Sequence, residues 1–148
     1  MPDAGTHRQS KAAPRPRVVM IVDDHAHFRC AMRHWIAELH SDFELLEAGS
    51  GEEAIALTGS REVHLVLMDI ELPGISGIEA TRRIREMLPE VAVIIVSQHT
   101  APAYVERARA AGAFDYITKD KVCQELLSAM DRALCRDRSG EDLETRYG

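Results

Sequence analysis

The sequence contains few cysteines, and the three present show no metal-binding pattern. Cys30, Cys123 and Cys135 are an odd number without close spacing, which argues against a disulfide framework and against a zinc site. We expect free thiols that are buried or partly buried. No apolar stretch approaches the roughly 20 residues that a membrane-spanning helix needs, and the N-terminus lacks the apolar segment of a signal peptide. These absences predict a cytoplasmic protein without a membrane partner.

Basic residues are also in short supply, with 18 Lys and Arg against 24 Asp and Glu and a net charge of -6. This balance argues against a general affinity for nucleic acid or acidic membrane surfaces. The 148 residues are 45% hydrophobic and fit one globular domain with a sizeable core. Residues 1–17 and 136–148 are poor in large apolar side chains, so we predict flexible tails around a domain at residues 18–135.

The rest of the chain is organised around Asp69. It follows four consecutive apolar residues, Leu65–Met68, and the chain then breaks at Pro73 and Gly74. An apolar run of this length fits a strand that is buried on both faces. A carboxylate at the end of such a strand is costly to desolvate unless a cation or hydrogen bonds meet it. Asp69 therefore calls for a chemical role.

Similar apolar runs alternate with helical patterns along the chain. The predicted strands lie at residues 18–22, 43–48, 65–68, 91–96 and 113–118, and the predicted helices at residues 26–40, 51–58, 77–88, 102–111 and 121–134. Gly112 is placed to cap the fourth helix, and Asp120 to cap the fifth. This alternation predicts an α/β fold, a doubly wound five-stranded parallel sheet with helices on both faces. Ligands bind such sheets outside the carboxyl ends of the strands.

Polar side chains follow four of these strands. Asp23 and Asp24 follow the first, Asp69 the third, Ser97 ends the fourth and Lys119 follows the fifth. Clustered carboxylates suit Mg²⁺, which keeps several waters and shares its shell with a phosphate. The lysine adds a positive charge and the serine a hydroxyl donor. These groups are suited to phosphoryl transfer, with Asp69 as the nucleophile that forms an acyl phosphate.

In this order, the motifs resemble the receiver domain of two-component response regulators, and most of all receivers of LuxR-type regulators. The motifs are Val22-Asp23-Asp24, Met68-Asp69-Ile70-Glu71-Leu72-Pro73-Gly74, Gly77, Ser97 and Tyr116-Ile117-Thr118-Lys119-Asp120. The resemblance implies a flavodoxin-like (βα)5 fold with strand order 2-1-3-4-5. It also implies that a histidine kinase or phosphotransfer protein phosphorylates Asp69. Such a receiver takes one phosphoryl group and loses it slowly, so it is not a turnover enzyme.

The resemblance further implies how a metal ion is held. Asp24, Asp69 and the main-chain carbonyl of Glu71 bind Mg²⁺, and Asp23 acts through water. His25 and His27 begin the first helix beside these acids. We expect both histidines to be solvated rather than to serve as ligands.

A second set of implied roles concerns the phosphoryl group and the response to it. Lys119 and Ser97 contact the phosphoryl oxygens, and the rotamer of Tyr116 reports phosphorylation. Ser97 and Tyr116 together switch the face made by the fourth helix, fifth strand and fifth helix. That face is expected to form a phosphorylation-dependent homodimer or to bind an output protein.

No segment after Cys135 is long enough for a helix-turn-helix domain, so direct nucleic-acid contact is not expected.

Two alternatives remain beside this interpretation. In the first, the chain is the N-terminal receiver of a longer DNA-binding transcription regulator. A small aspartyl-phosphate phosphohydrolase, with Asp69 as nucleophile and Glu71 as acid, is the rival enzyme. Hydrolases of the haloacid-dehalogenase type, however, place Asp two residues after a nucleophile on their first strand.

One motif points elsewhere. Residues 49–54 match the Gly-x-Gly-x-x-Ala form of a dinucleotide-binding loop. Glu52 and Glu53 fall in the first turn of the helix that follows, where they repel a pyrophosphate and occupy the positive end of the helix dipole. We therefore expect no dinucleotide there.

Overall fold

Five apolar runs of the sequence form one parallel sheet in the computed structural model, which describes residues 15–139. Most of the tail predicted at residues 1–17, and residues 140–148 of the predicted C-terminal tail, lie outside the described residues. The strands are β1 (Val18–Val22), β2 (Glu44–Ala48), β3 (Leu65–Met68), β4 (Ala92–Ser97) and β5 (Asp115–Thr118).

Five helices connect and follow the strands. They are α1 (Ala26–Leu39), α2 (Gly51–Ser60), α3 (Gly77–Met87), α4 (Pro102–Ala110) and α5 (Val122–Ser139). A 3-10 turn at Lys119–Lys121 precedes α5, so Asp120 lies inside that turn and the predicted helix cap is wrong. Helix α5 continues four residues past the boundary predicted after Cys135. Gly112 follows α4 with a φ of 103°, as the predicted cap requires.

The strand order is β2-β1-β3-β4-β5, which confirms the predicted topology. Val22 is in register with Met68, and Met68 with Ile95. The residues that follow Val22 and Met68 are therefore neighbours at the same edge. The chain winds one way from β1 to β2 and the other way from β3 to β5. The crevice where ligands bind in this class of sheet therefore lies at the carboxyl ends of β1 and β3.

Alternate residues of the central strands pack to opposite faces of the sheet. Helices α1 and α5 cover one face and α2, α3 and α4 the other, where Ile84 and Ala108 contribute to the core. Cys30 and Cys123 are exposed and Cys135 is partly exposed, so the prediction of buried thiols is wrong for the first two. Within residues 15–139, no helix combines the length and apolar character that crossing a membrane demands.

Gly77 begins α3 in close contact with the chain that follows β3. Its main-chain N–H donates to the carbonyl of Ile70 over 2.8 Å. A Cβ atom at this position would lie 1.8 Å from the carbonyl oxygen of Asp69. Only glycine lets α3 begin this close to the chain that carries Asp69. Gly77 therefore helps to fix the backbone of Asp69 and Ile70.

We predict that Gly77→Ala lowers the free energy of unfolding by about 2 kcal/mol or more, because the methyl group must displace the backbone of Asp69. Gly59→Ala is the matched control, since nothing lies within 4 Å of a Cβ at that helical position. The control should be stabilising by up to about 1 kcal/mol. Urea unfolding of both variants measures the difference, and equal stabilities would contradict the close approach.

Candidate functional site

The carboxyl ends of β1, β3, β4 and β5 bring together the polar residues predicted from the sequence. Asp23, Asp69 and Ser97 are buried, with 2%, 4% and 0% of their surface exposed. The main-chain N–H of Asp69 donates to the carbonyl of Val22 over 3.0 Å, which ties the third strand end to the first. Asp24 points outward by comparison, and 38% of its side chain is exposed. Buried carboxylates thus line the inner part of the site.

Lys119 supplies the positive charge at the centre of the cluster. Its Nζ donates to Asp23 Oδ2 over 2.9 Å and lies 3.6 Å from Asp69 Oδ2. The aromatic ring of Phe28 lies 4.2 Å from the same nitrogen. The lysine side chain is only 16% exposed. The sequence pattern predicted the lysine but not its contact with the ring.

The Asp69 carboxylate is strained electrostatically. Burial chiefly, and next the charge of Asp23, raise the pKa of Asp69 to about 6, although Lys119 and the Ile70 N–H act in the opposite direction. The Ile70 N–H donates to Asp69 Oδ1 over 2.9 Å and so orients the carboxylate. At neutral pH most molecules carry the ionised form, which is the nucleophilic one. The neighbouring charge that matters most is that of Asp23, rather than that of the exposed Asp24.

The acids and one histidine form a group that could hold a metal ion. One ligand atom each from Asp23, Asp24, His25 and Asp69 lies within 4.8 Å of the others. His25 is largely exposed, as predicted, yet its Nδ1 lies 3.1 Å from Asp23 Oδ1 and 3.3 Å from Asp24 Oδ1. The prediction of a merely solvated His25 is therefore incomplete. A donor set dominated by carboxylate oxygens fits Mg²⁺.

His99 connects Ser97 to Tyr116. Its main-chain N–H donates to Ser97 Oγ over 3.0 Å, and its carbonyl accepts from the Tyr116 hydroxyl over 2.8 Å. Its ring stacks on Tyr104, with the ring centroids 4.2 Å apart. Its Nε2 lies 3.0 Å from Glu71 Oε2, a close approach without hydrogen-bond geometry. Burial raises the pKa of Tyr116, so the hydroxyl stays a donor at neutral pH.

Ser97 and Tyr116 were predicted from the sequence, whereas a role for His99 was not. Glu71 was predicted to act through its main-chain carbonyl or, in the rival enzyme, as the acid, and not as a neighbour of a histidine. Their positions in the sequence could have indicated this proximity, because Glu71 lies two residues after Asp69 and His99 two residues after Ser97. The predicted carbonyl contact of Glu71 with a metal stays a prediction.

The glycine-rich stretch before α2 is occupied by its own side chains. Ser50 Oγ accepts the N–H of Glu53 over 3.1 Å, and Glu53 Oε1 accepts the N–H of Gly49 over 2.9 Å. Glu52 Oε2 accepts the N–H of Ile75 over 3.1 Å. Glu53 and Ser50 therefore already engage two N–H donors of this loop that a pyrophosphate would need, while Glu52 binds the chain before α3. These contacts agree with the rejection of a dinucleotide site.

Comparison with known families matches residues 19–131 to the response regulator receiver domain. Among curated proteins, the transcriptional activator protein ExaE of Pseudomonas putida is 40% identical over 116 residues, which are 78% of this chain and 54% of that protein. The response regulator UvrY of Escherichia coli K12 is 35% identical over 112 residues, covering 76% of this chain and 51% of that protein. This chain thus spans about half the length of the curated relatives that it matches.

A solved structure with the same fold is that of a LuxR-family two-component response regulator from Aurantimonas sp. SI85-9A1. It is 33% identical, covers 90% of this chain and 99% of its own, and superposes with a TM-score of 0.76. The sequence relatives and the structural relative therefore point to the same family.

The raised pKa of Asp69 makes a prediction about stability. Between about pH 4 and about pH 6, the Asp69 carboxyl of the metal-free protein is largely protonated in the native state but largely ionised in the unfolded chain. The stability contributed by this group therefore falls as pH rises through that window, and the loss is complete above about pH 6. Asp69→Asn should be more stable than the parent by about 3 kcal/mol near pH 8, with the gain shrinking towards pH 4.

Urea unfolding in the presence of a chelator, repeated across this pH range, measures the difference. The same change at Asp42, in an exposed turn, controls for the loss of one negative charge. A variant that is less stable than the parent near pH 8 would show that Asp69 is not electrostatically strained.

Proposed function

This chain belongs to the response regulator receiver family, and from that premise we propose that Asp69 accepts a phosphoryl group from a histidine kinase or a phosphotransfer protein. The observation that carries the proposal is the placement of Asp69. It is a buried carboxylate at the end of β3, with a second buried acid and the Lys119 ammonium beside it. Its raised pKa still leaves the nucleophilic form dominant at neutral pH.

In the proposed reaction, an oxygen of the ionised Asp69 carboxylate attacks the phosphorus of the donor. An O–P bond forms as the P–N bond to the donor histidine breaks, and the imidazole leaves with the bonding electron pair. The product on this chain is an acyl phosphate. The Ile70 N–H orients the carboxylate through its bond to Oδ1, and Lys119 offsets negative charge near Oδ2.

We further propose that Asp24, Asp69 and the main-chain carbonyl of Glu71 hold Mg²⁺, with Asp23 acting through water. The fit rests on the donor set, in which the carboxylate oxygens of three acids lie close together. Bound Mg²⁺ supplies positive charge to the phosphoryl oxygens. Asp23 Oδ2 already accepts from Lys119, so this acid also holds the lysine in the site.

The same site can transmit a signal through Ser97 and His99. Phosphoryl oxygens on Asp69 attract the Ser97 hydroxyl, and movement of Ser97 weakens the bond that its Oγ accepts from the His99 N–H. The His99 carbonyl is then less firmly placed to hold the Tyr116 hydroxyl. Phosphorylation in this way shifts an existing equilibrium of the loop before α4 rather than creating a new surface.

The responding surface consists of α4, β5 and α5. Arg107 lies over the Tyr104 ring at 5.2 Å, and Asp115 pairs with Arg132 at 2.8 Å. We propose that this mixed-charge face self-associates, or binds an output protein, when Asp69 is phosphorylated. The coupling runs from Tyr116 in β5 to the neighbouring face of α4.

A second candidate concerns the protein in which this domain works. The relatives include a transcriptional activator, and this chain matches about half of each relative. We propose that the receiver acts in the cytoplasm and controls a DNA-binding output, either on the same chain or on a partner. The predicted absence of nucleic-acid contact is thus not supported for the whole protein. Determining the full reading frame tests whether a DNA-binding segment follows.

The phosphohydrolase alternative gains no support. Asp69 follows the third strand of the chain, whereas the hydrolase pattern places the nucleophile on the first. The matched family is not a classical enzyme family. We propose that loss of the phosphoryl group is slow and occurs on the domain itself.

We predict that the parent protein gains one phosphoryl group when treated with Mg²⁺ and acetyl phosphate, and that Asp69→Asn gains none because the nucleophile is absent. Intact-mass analysis measures both. Asp115→Asn, which removes a carboxylate at the opposite end of a strand, is the control and should be labelled like the parent. Undiminished labelling of Asp69→Asn would reject Asp69 as the acceptor.

A further prediction tests the switch. The phosphoryl mimic beryllofluoride should raise the mass measured by light scattering and change amide exchange across residues 96–118 in the parent. Ser97→Ala should lose both responses because it lacks the hydroxyl that moves. Ser60→Ala, at the exposed end of α2, should keep them. Unchanged association and exchange in the parent would remove the proposed switch while leaving phosphorylation intact.

A further inference from the structure

Lys119 has an aromatic neighbour that the proposed reaction does not use. Its Nζ lies 4.2 Å from the centroid of the Phe28 ring, in addition to its contacts with Asp23 and Asp69. With only 16% of the lysine side chain exposed, little water remains to solvate the ammonium. The Phe28 ring therefore replaces part of the water that would otherwise solvate the Lys119 ammonium.

An aromatic face suits this position because it attracts a cation without accepting a conventional hydrogen bond. The ring quadrupole stabilises a partly desolvated ammonium. A further carboxylate here would also stabilise it, but would engage an N–H donor and deepen the repulsion that already raises the pKa of Asp69. With a ring instead, the N–H donors of Lys119 stay available for the oxygens of an incoming phosphoryl group.

The position of Phe28 is fixed by the first turns of α1. The neighbouring Arg29 donates from Nη1 to the carbonyl of Asp23 over 2.5 Å and from Nε to Glu47 Oε1 over 2.8 Å. These bonds tie α1 to the end of β1 and to β2. Phe28 is partly buried and packs against the core on this face of the sheet. The ring is therefore held at the lysine by both helix and core.

We propose that Phe28 is a positioning residue for phosphoryl transfer, whose ring holds the Lys119 ammonium beside Asp69. The proposal rests on the proposed function of Asp69 as phosphoacceptor. In this role no bond to Phe28 forms or breaks. It acts through Lys119 alone.

The test compares rates of phosphorylation by acetyl phosphate at saturating Mg²⁺, measured by intact mass. Phe28→Leu should slow the reaction about three- to tenfold, because it keeps an apolar side chain but removes the π face. Phe28→Tyr keeps an aromatic face and should react within about twofold of the parent. A small donor is used because it excludes any effect of Phe28 on kinase docking.

The matched control is Phe43→Leu. Phe43 is another partly buried phenylalanine packed against the same core cluster, and it stacks on His40 rather than on the lysine. The control should lose stability without losing phosphorylation rate. Melting curves establish that every variant is folded before its rate is compared.

Two readouts separate positioning from loosened packing. The ε-methylene protons of Lys119 should show an upfield ring-current shift in the NMR spectrum of the parent and of Phe28→Tyr, and lose it in Phe28→Leu. In a Lys119→Met background, Phe28→Leu should produce no further loss of rate, since the group through which the ring acts is gone.

A Phe28→Leu protein that reacts at the parental rate would overturn the proposal. Equal slowing by Phe43→Leu, or further slowing in the Lys119→Met background, would do the same. A parent protein that takes no phosphoryl group would instead overturn the function proposed for Asp69, and with it the role of Phe28. The two failures are therefore distinct.

Discussion

Two buried carboxylates lie side by side at one edge of the sheet, and the Lys119 ammonium between them makes that arrangement tolerable. Asp23 and Asp69 are neighbours because the register of β1 and β3 places their strand ends together. The lysine contacts both, at 2.9 Å and 3.6 Å, but does not cancel the cost of burial, since the pKa of Asp69 stays near 6. A site in this balance changes its energy whenever a cation or a phosphoryl group arrives.

Neighbouring elements are in contact with this edge of the sheet through Ser97. Ser97 ends β4 within the same edge, and its Oγ holds the loop before α4 through the His99 N–H. His99 in turn holds the Tyr116 hydroxyl and stacks on Tyr104. Contacts therefore run from Ser97 through His99 to Tyr104 in α4 and to Tyr116 in β5. A small movement of Ser97 would disturb this chain directly, because its members are already in contact.

The strand ends could be predicted from the sequence because apolar runs are unambiguous and parallel strands deliver their carboxyl ends to one edge. Asp69 and Lys119 each follow such a strand, so their common location could be predicted. Contacts made across helices and loops, such as that of Phe28 with the lysine, depend on tertiary packing and carry no periodic signal. The exposure of Cys30 could have been predicted from the helical pattern. Cys30 lies two residues before the buried Met32 and therefore points away from that face of α1. The ring of His25 lies beside the acids for a local reason, because the main-chain N–H of His25 donates to Asp23 Oδ1.

The central claim is that Asp69 becomes an acyl phosphate, and borohydride reduction tests it most directly. Borohydride converts an aspartyl phosphate into homoserine, whereas free carboxylates and phosphate esters survive. Peptide mass mapping after treatment with acetyl phosphate, Mg²⁺ and borohydride should find homoserine at position 69 alone. Homoserine at position 23 or 24, or a phosphoryl group on any serine, threonine or histidine with position 69 unchanged, would contradict the account.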